Sequence, residues 1–366
     1  MNASLAPALM GHAFQQTALM AMLPLIAGRL GLSDPAVATA VGLGMVAATL
    51  TIPLMGLTGS RRLVGPALVT MIVCSVGLAL LLVVPLAAAP ALGALLLLRL
   101  AQGMSAATVL VHAQTSSLAD ATRSRERLAA TQSFAGLGRA ASAVLVGPLV
   151  AIGVVLPMLP AIAGGVWSLA TLRRSEPAPA GEASGLKPPR MPSLVLPFLV
   201  QTSLGITHVS LAPLLAVRLG GNSVAAATHA GFALAAANLG LLVSHRFLTS
   251  KVEGTGLRLA AFVGGGALVA IALWPQPAFV VISSGVVGGA SAMLLTHNLH
   301  TALERSAARG TSQAAWNATV STGGLAAGAL VGSAALHLGA NQAVALAGVL
   351  MASAVLAMSR TRKPAS

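Results

Sequence analysis

Long apolar stretches are the feature that most restricts the fold of this chain. Twelve such stretches, each bounded by charges, prolines or glycines, follow one another through the 366 residues. A helix needs about 20 apolar residues to cross a hydrocarbon layer of about 30 Å. The twelve apolar stretches lie near residues 5–28, 37–57, 64–86, 92–117, 129–150, 153–172, 193–216, 224–243, 257–274, 278–299, 314–336 and 341–358. The sequence therefore predicts an all-α membrane protein with twelve transmembrane spans, numbered here in this order.

The scarcity of charge excludes a water-soluble protein of this length. Only 8% of the residues are charged and 56% are hydrophobic, whereas soluble domains carry about 25% charged residues. The first stretch has no basic segment before it and is longer than the apolar part of a signal peptide. We expect it to remain as a helix rather than to be cleaved.

A polar segment divides the twelve spans into two sets of six. Residues 173–192 are rich in proline, glycine and charged or small polar residues, a composition typical of a linker. The predicted organisation is an N-terminal six-helix bundle over 1–172, a cytoplasmic linker over 173–192 and a C-terminal six-helix bundle over 193–366.

The two halves resemble each other. Residues 24–31 read PLIAGRLG and residues 213–220 read PLLAVRLG, an offset of 189, and His112 matches His297 at an offset of 185. Matched proline, arginine and histidine residues at a sustained offset indicate an internal repeat. Two parallel repeats related by a pseudo-two-fold axis, with a substrate site near the midplane where they meet, form a transporter architecture.

The basic residues indicate the orientation. The net charge is +14, and 17 of the 21 lysines and arginines fall in predicted cytoplasmic loops, the linker or the C-terminal tail. Arg29 and Arg218 fall in outer loops, and Arg99 and Arg139 fall inside spans. This asymmetry follows the positive-inside rule. It predicts a multi-pass protein of the bacterial inner membrane with both termini in the cytoplasm, and it makes nucleic acid an improbable partner.

Short motifs carry a family resemblance over almost the whole chain. Arg99-Leu-Ala-Gln102-Gly103 in the fourth span resembles the Arg-x-x-Gln-Gly signature of the major facilitator superfamily. Gly147-Pro148 in the fifth span is similar to the glycine-proline motif of antiporters in that family. The resemblance implies the family fold, membrane transport rather than enzyme activity, no cofactor, a monomer, and the drug and metabolite exporter branch.

The resemblance also implies gating residues. The loop over residues 56–62 resembles the family's Gly-x-x-x-Asp-Arg motif, with Ser60 in place of the aspartate, and Ala143 and residues 151–152 depart from the antiporter pattern. The implied gating set is Arg61, Arg62, Asp120, Gly147 and Pro148.

Two arginines inside the spans indicate the charge of the cargo. Arg99 and Arg139 lie in spans four and five, while all seven acidic residues lie in loops or at span ends. Intramembrane ionisable residues are costly and are functional candidates. An arginine without an internal carboxylate is most simply paired with an anion that enters the cavity. The alternatives are snorkelling, bonds to backbone carbonyls and, for Arg99, a packing and gating role.

Other polar residues repeat across spans that the resemblance places around a cavity. His12 and Gln16 share a face of span one, and Gln201 and His208 share a face of span seven. The predicted substrate-binding set is Arg139, Arg99, Gln16, His12, Gln132, His208, Gln201, Asn317 and Trp316. The predicted proton-coupling set is His112, His297 and His208. Structural packing and hydrogen bonds between helices are the alternative for each.

Neither a metal site nor nucleophilic catalysis is expected. His297 and His300 are three residues apart, but no carboxylate or cysteine stands near them to complete a site. The sequence predicts a secondary transporter that exports a small anionic or carboxylate-bearing molecule, such as a siderophore-like metabolite, with proton coupling. Broad-specificity multidrug efflux, uptake of an organic anion and a non-transporting membrane sensor remain alternatives.

Overall fold

Helices form all the regular structure in the residues that the computed structural model describes, which are 4–58, 62–118, 124–172, 192–248, 254–304 and 310–360. A helix satisfies its backbone hydrogen bonds internally, as an apolar layer requires. The first seven helices are α1 Ala6–Ala21, α2 Leu23–Leu30, α3 Asp34–Thr58, α4 Val64–Leu81, α5 Ala88–Leu118, α6 Ser124–Ile152 and α7 Leu159–Leu172. The other six are α8 Pro192–Arg218, α9 Ser223–Phe247, α10 Thr255–Leu273, α11 Pro277–Glu304, α12 Gly310–Leu336 and α13 Ala340–Arg360. One 3₁₀ turn, Leu156–Met158, precedes α7.

Nine of the described helices are long and apolar enough to cross a membrane, namely α3 to α6 and α8 to α12. Two shorter apolar segments, Leu156–Leu172 and Ala340–Leu356, correspond to predicted spans six and twelve. The structure therefore confirms a multi-pass helical membrane protein. The count of twelve spans stays a prediction.

The first predicted span differs from expectation because it consists of two helices. α1 ends at Ala21, Met22 forms a turn, and α2 begins at Leu23 with Pro24 in its first turn. Proline has no N–H to donate and clashes with the carbonyl four residues earlier, so it favours a new helix start. Pro213, its partner in the repeat, lies inside the continuous helix α8.

The chain divides into two compact units, Met1–Gly185 and Leu186–Ser366. In the first unit α1 packs against α6 and α7, α3 against α5, and α4 against α5 and α7. In the second, α8 packs against α12 and α13, α9 against α11, and α10 against α11 and α13. The order of pairing is the same in both units, as an internal repeat predicts. Residues 173–191 of the predicted linker lie outside the described residues.

Glycines allow the closest helix contacts in both units. A Cβ atom on Gly103 of α5 would collide with the carbonyl oxygen of Gly44 on α3, and one on Gly288 of α11 would collide with that of Ala237 on α9. Small residues at such contacts let helix backbones approach closely, which is a main source of association between helices in lipid.

Two neighbouring glycines of α6 give a matched test of this packing. A Cβ on Gly138 would collide with the carbonyl oxygen of Met10 on α1, whereas one on Gly136 would meet nothing within 4 Å. We expect Gly138→Ala to destabilise the protein by about 1–3 kcal/mol, the usual cost of overpacking. Thermal unfolding of the detergent-solubilised protein measures the effect.

Gly136→Ala is the control for this substitution. It should leave the unfolding midpoint unchanged or slightly raised, because alanine favours a helix over glycine by about 1 kcal/mol. Equal midpoints for the two variants would show that the contact between α1 and α6 does not depend on Gly138.

Candidate functional site

A hydrogen-bonded group of polar side chains lies inside the first unit. Gln102 Nε2 on α5 donates to Gln15 Oε1 on α1 at 2.6 Å and to Ser75 Oγ on α4 at 3.2 Å. Ser75 Oγ donates to Gln15 Oε1 at 2.9 Å. Arg99 Nη1, one turn before Gln102 on α5, donates to Gln102 Oε1. We call Gln15, Ser75, Arg99 and Gln102 the buried polar network. It connects α1, α4 and α5.

Arg99 is enclosed by this network. Its side chain is only 2% exposed, and its Nε atom has no hydrogen-bond partner among the described residues. The one side chain that accepts a hydrogen bond from it is a neutral amide. Burial of a charge is costly unless it is paired and hydrogen-bonded. Within the described part of the chain no acid pairs with Arg99, so it adds uncompensated positive charge there.

Arg139 occupies the middle of α6 and is exposed. It is about 9 Å along the helix from Ser133 and about 20 Å from Ile152, which bound the apolar part of α6. Its neighbour Gly138 contacts the backbone of α1 at Met10, so Arg139 lies beside α1. Among the residues that the structure describes, none forms a hydrogen bond or ion pair with Arg139.

His12 lies on α1 close to both arginines. Its side chain hydrogen-bonds with that of Gln16, and both Arg99 and Arg139 are near enough to interact with it electrostatically. Its Nδ1 atom is buried and has no hydrogen-bond partner within the described part of the chain. We call His12, Arg99 and Arg139 the basic cluster.

No described carboxylate lies in the basic cluster. Asp34 is the only acidic residue whose side chain the structure describes. It starts α3, ten residues before Gly44, which is the residue of α3 that contacts the backbone of Arg99. Ten helical residues span about 15 Å. The positive charge of the cluster is therefore not neutralised by any acid that the structure describes.

Several predicted site residues are half-buried and contact other groups. Four of them are half-buried and form an interaction with another residue: His208 on α8, Trp316 on α12, His112 on α5 and His297 on α11. Gln201 on α8 is also half-buried, and its Cβ lies near Gly324 of α12.

The remaining predicted residues are placed only in part. Arg62 is exposed, Gly147 is buried and Pro148 is exposed within α6. Arg61 and Asp120 lie outside the described residues, as do the side chains of Gln132 and Asn317.

The structure brings together four of the predicted substrate-binding residues, His12, Gln16, Arg99 and Arg139. His112, in the same unit, follows Arg99 by 13 residues on α5, a separation of about 20 Å along the helix. Sequence reasoning missed Gln15 and Ser75. Gln15 had one signal, since it lies three residues after His12 and therefore near it on the same helix.

A family comparison agrees with this helix arrangement. The sequence profile of the Major Facilitator Superfamily matches residues 5–329. The chain belongs to this superfamily. It is therefore a multi-pass membrane transporter and not an enzyme. No curated protein sequence matches it significantly.

Solved structures of other transporters share the fold of this superfamily member. A bacterial homologue of the human lysosomal transporter Spinster has a TM-score of 0.73 at 16% identity, covering 100% of this chain and 98% of the other. The nucleoside transporter NupG has a TM-score of 0.67 at 13% identity, with 98% and 100% coverage. A D-xylose-proton symporter has a TM-score of 0.68 at 15% identity, with 96% coverage of both chains. These similarities concern the fold.

Proposed function

We propose that this transporter carries a small anionic or carboxylate-bearing molecule, and that Arg139 binds the negative group. The observation that carries the proposal is the position of Arg139 in the middle of α6, where its side chain has no hydrogen-bond or ion-pair partner among the described residues. An arginine at the centre of a membrane helix costs about 2.5–3.5 kcal/mol on insertion scales. A bound anion offsets that cost.

The chemistry of the basic cluster supports a carboxylate. The planar guanidinium group donates two parallel hydrogen bonds to a carboxylate, and such charge-assisted bonds are about twice as strong as neutral ones. Arg99 adds positive potential from inside the unit, and Gln16 offers a neutral hydrogen-bonding group beside His12. A cationic drug would be repelled by the same charges, so we place multidrug efflux second.

The transport cycle that we propose is alternating access in the bacterial inner membrane, with both termini in the cytoplasm and proton coupling. Two directions follow from different observations. Gly147 and Pro148 of α6 resemble the antiporter motif and favour export, for example of a siderophore-like metabolite. The basic cluster favours joint binding of anion and proton, and thereby uptake of an organic anion.

A thermal-shift experiment tests the sign of the cargo. The purified protein in detergent is heated with acetate, lactate, oxalate or benzoate as anionic probes, and with tetraphenylphosphonium as the cationic probe. At 100 times its dissociation constant, a ligand stabilises a protein by about 2.7 kcal/mol. We expect at least one carboxylate to raise the unfolding midpoint, and we expect the cation not to do so. Stabilisation by the cation alone would overturn the proposal, and so would a lack of response to all four carboxylates.

A further inference from the structure

We propose that His12 carries the coupled proton and takes it up together with the anionic substrate, so that proton and anion cross the membrane in the same direction. This inference rests on the proposed function. It assigns the proton to a residue that the sequence pattern indicates only for substrate binding, and it adds a direction to the transport.

The ring of His12 is only partly hydrogen-bonded. Its Nδ1 atom is buried without a hydrogen-bond partner among the described residues, while the side chain hydrogen-bonds with Gln16. A buried ring nitrogen without a partner leaves its desolvation uncompensated. No described residue therefore competes with a proton for this atom.

The charge around His12 is positive, because Arg99 and Arg139 lie near it. A proton on the ring adds a third positive charge beside Arg99 and Arg139, and like charges disfavour one another. An anion bound at Arg139 removes much of that repulsion and adds an opposite charge. Binding of the anion and binding of the proton therefore favour each other, and the coupling is reciprocal. Couplings of this kind change affinity by about 5- to 150-fold.

Apart from the two arginines, no described titratable group lies beside His12. The helices α2, α3, α5, α6 and α7 and the 3₁₀ turn all pack against α1. The turn and α7 contain no titratable residue. The other elements contain the following titratable residues: Arg29 on α2, Asp34 on α3, and Arg99 and His112 on α5. Helix α6 contains Arg139 and, in its first turn, Arg125, Glu126 and Arg127. Among the described side chains, those that act electrostatically on His12 are Arg99 and Arg139, whereas Cys74 of α4 interacts with Arg99.

The direction of transport follows from this coupling. If the anion and the proton bind together, they move together, and a monovalent anion with one proton carries no net charge. An inward proton gradient then drives uptake of the anion. Exchange of a substrate against protons needs the two ligands to compete, which a cluster of two arginines and one histidine does not favour. Between the two directions proposed above, His12 therefore selects uptake.

Proton uptake on ligand binding tests the inference. The carboxylate that stabilises the full-length protein most in the thermal-shift experiment is added to weakly buffered protein, and the pH is followed with a dye. All four probes are ionised at pH 6 and above. We expect wild-type protein to take up protons on binding, and we expect its affinity for the carboxylate to increase about 5- to 100-fold from pH 8 to pH 6, where 100-fold is the limit for one coupled proton over two pH units.

Two histidine variants make the result specific. His12→Gln should lose both the proton uptake and the pH dependence, so that its affinity at pH 6 stays at the low value found at pH 8. In proteoliposomes it should exchange the carboxylate without accumulating it against a gradient. His337→Gln, at an exposed position after α12, is the control and should behave as wild type. Undiminished proton uptake by His12→Gln would overturn the assignment to His12 while leaving the anionic cargo in place. If none of the four carboxylates binds, the proposed function itself fails, and this inference fails with it.

Discussion

Replacement of Arg139 by glutamine is expected to weaken binding of the anion by about tenfold or more and to reduce its transport, while leaving the fold intact. The side chain forms no hydrogen bond or ion pair with the residues that the structure describes, so its removal breaks no such contact. It also removes a charge whose insertion costs about 2.5–3.5 kcal/mol. The unfolding midpoint of Arg139→Gln without ligand should therefore equal or exceed that of the wild type.

The size of the loss follows from the hydrogen bonds that Arg139 donates to the anion in the proposed complex. Hydrogen bonds to charged groups contribute about 1.5–3 kcal/mol, which corresponds to a dissociation constant for the carboxylate that is about 10- to 160-fold higher. Thermal shift and proteoliposome uptake measure binding and transport separately. Arg139→Lys should fall between wild type and Arg139→Gln, because lysine keeps the charge but loses the planar pair of donors.

Arg218→Gln provides the matched control. Arg218 is an exposed arginine at the end of α8, and its substitution removes the same charge from the chain. We expect wild-type affinity and transport from this variant. Full carboxylate transport by Arg139→Gln, or an equal loss in the two variants, would mean that Arg139 does not bind the cargo.

The second large effect concerns the buried polar network. Gln102→Leu removes the amide that accepts the hydrogen bond from Arg99, and it leaves Gln15 and Ser75 without this donor. A buried polar group that loses its partner costs about 1–3 kcal/mol, and a charged one costs more. We expect Gln102→Leu to lower the free energy of unfolding by at least this amount, measured by thermal unfolding in detergent.

A double variant separates the charge from the packing. Arg99→Met combined with Gln102→Leu removes the guanidinium together with its partner, and it should recover more than half of the lost stability, because apolar replacement of both partners is often neutral. Gln342→Leu, at an exposed position of α13, should change stability little. If the double variant is as unstable as the single one, Arg99 is not the group that Gln102 stabilises.

The helical membrane fold and the family could be predicted from the sequence, because both depend on local patterns. Apolar stretches of sufficient length define spans wherever they occur, and the motif around Arg99 marks the family. The break after α1 could not be predicted in the same way. Pro24 begins a new helix and Pro213 lies within one, although they occupy equivalent positions in the repeat, so a proline at this position does not by itself determine whether the helix breaks.

The candidate site could be predicted as a set of polar residues but not as a geometry. Arg99 and Arg139 stand out in the sequence as intramembrane charges, yet their environments differ: Arg99 is enclosed and hydrogen-bonded, and Arg139 is exposed. Gln15 and Ser75 are ordinary polar residues in an apolar sequence. Their role depends on contacts between residues that lie 60 and 87 positions apart, which no local pattern reveals.

The glycine contacts of α3 with α5 and of α9 with α11 have a mechanical consequence. At Gly103 and Gly288 each helix touches its neighbour backbone to backbone. A slide of one turn, about 5.4 Å along the axis, would bring Arg99 or Ala107, which lie four residues from Gly103 on the same face of α5, against a carbonyl oxygen. The two helices of each pair are therefore held in register, and we expect each pair to move as one rigid body. The bending that a transport cycle requires is then expected in the connections between these helix pairs.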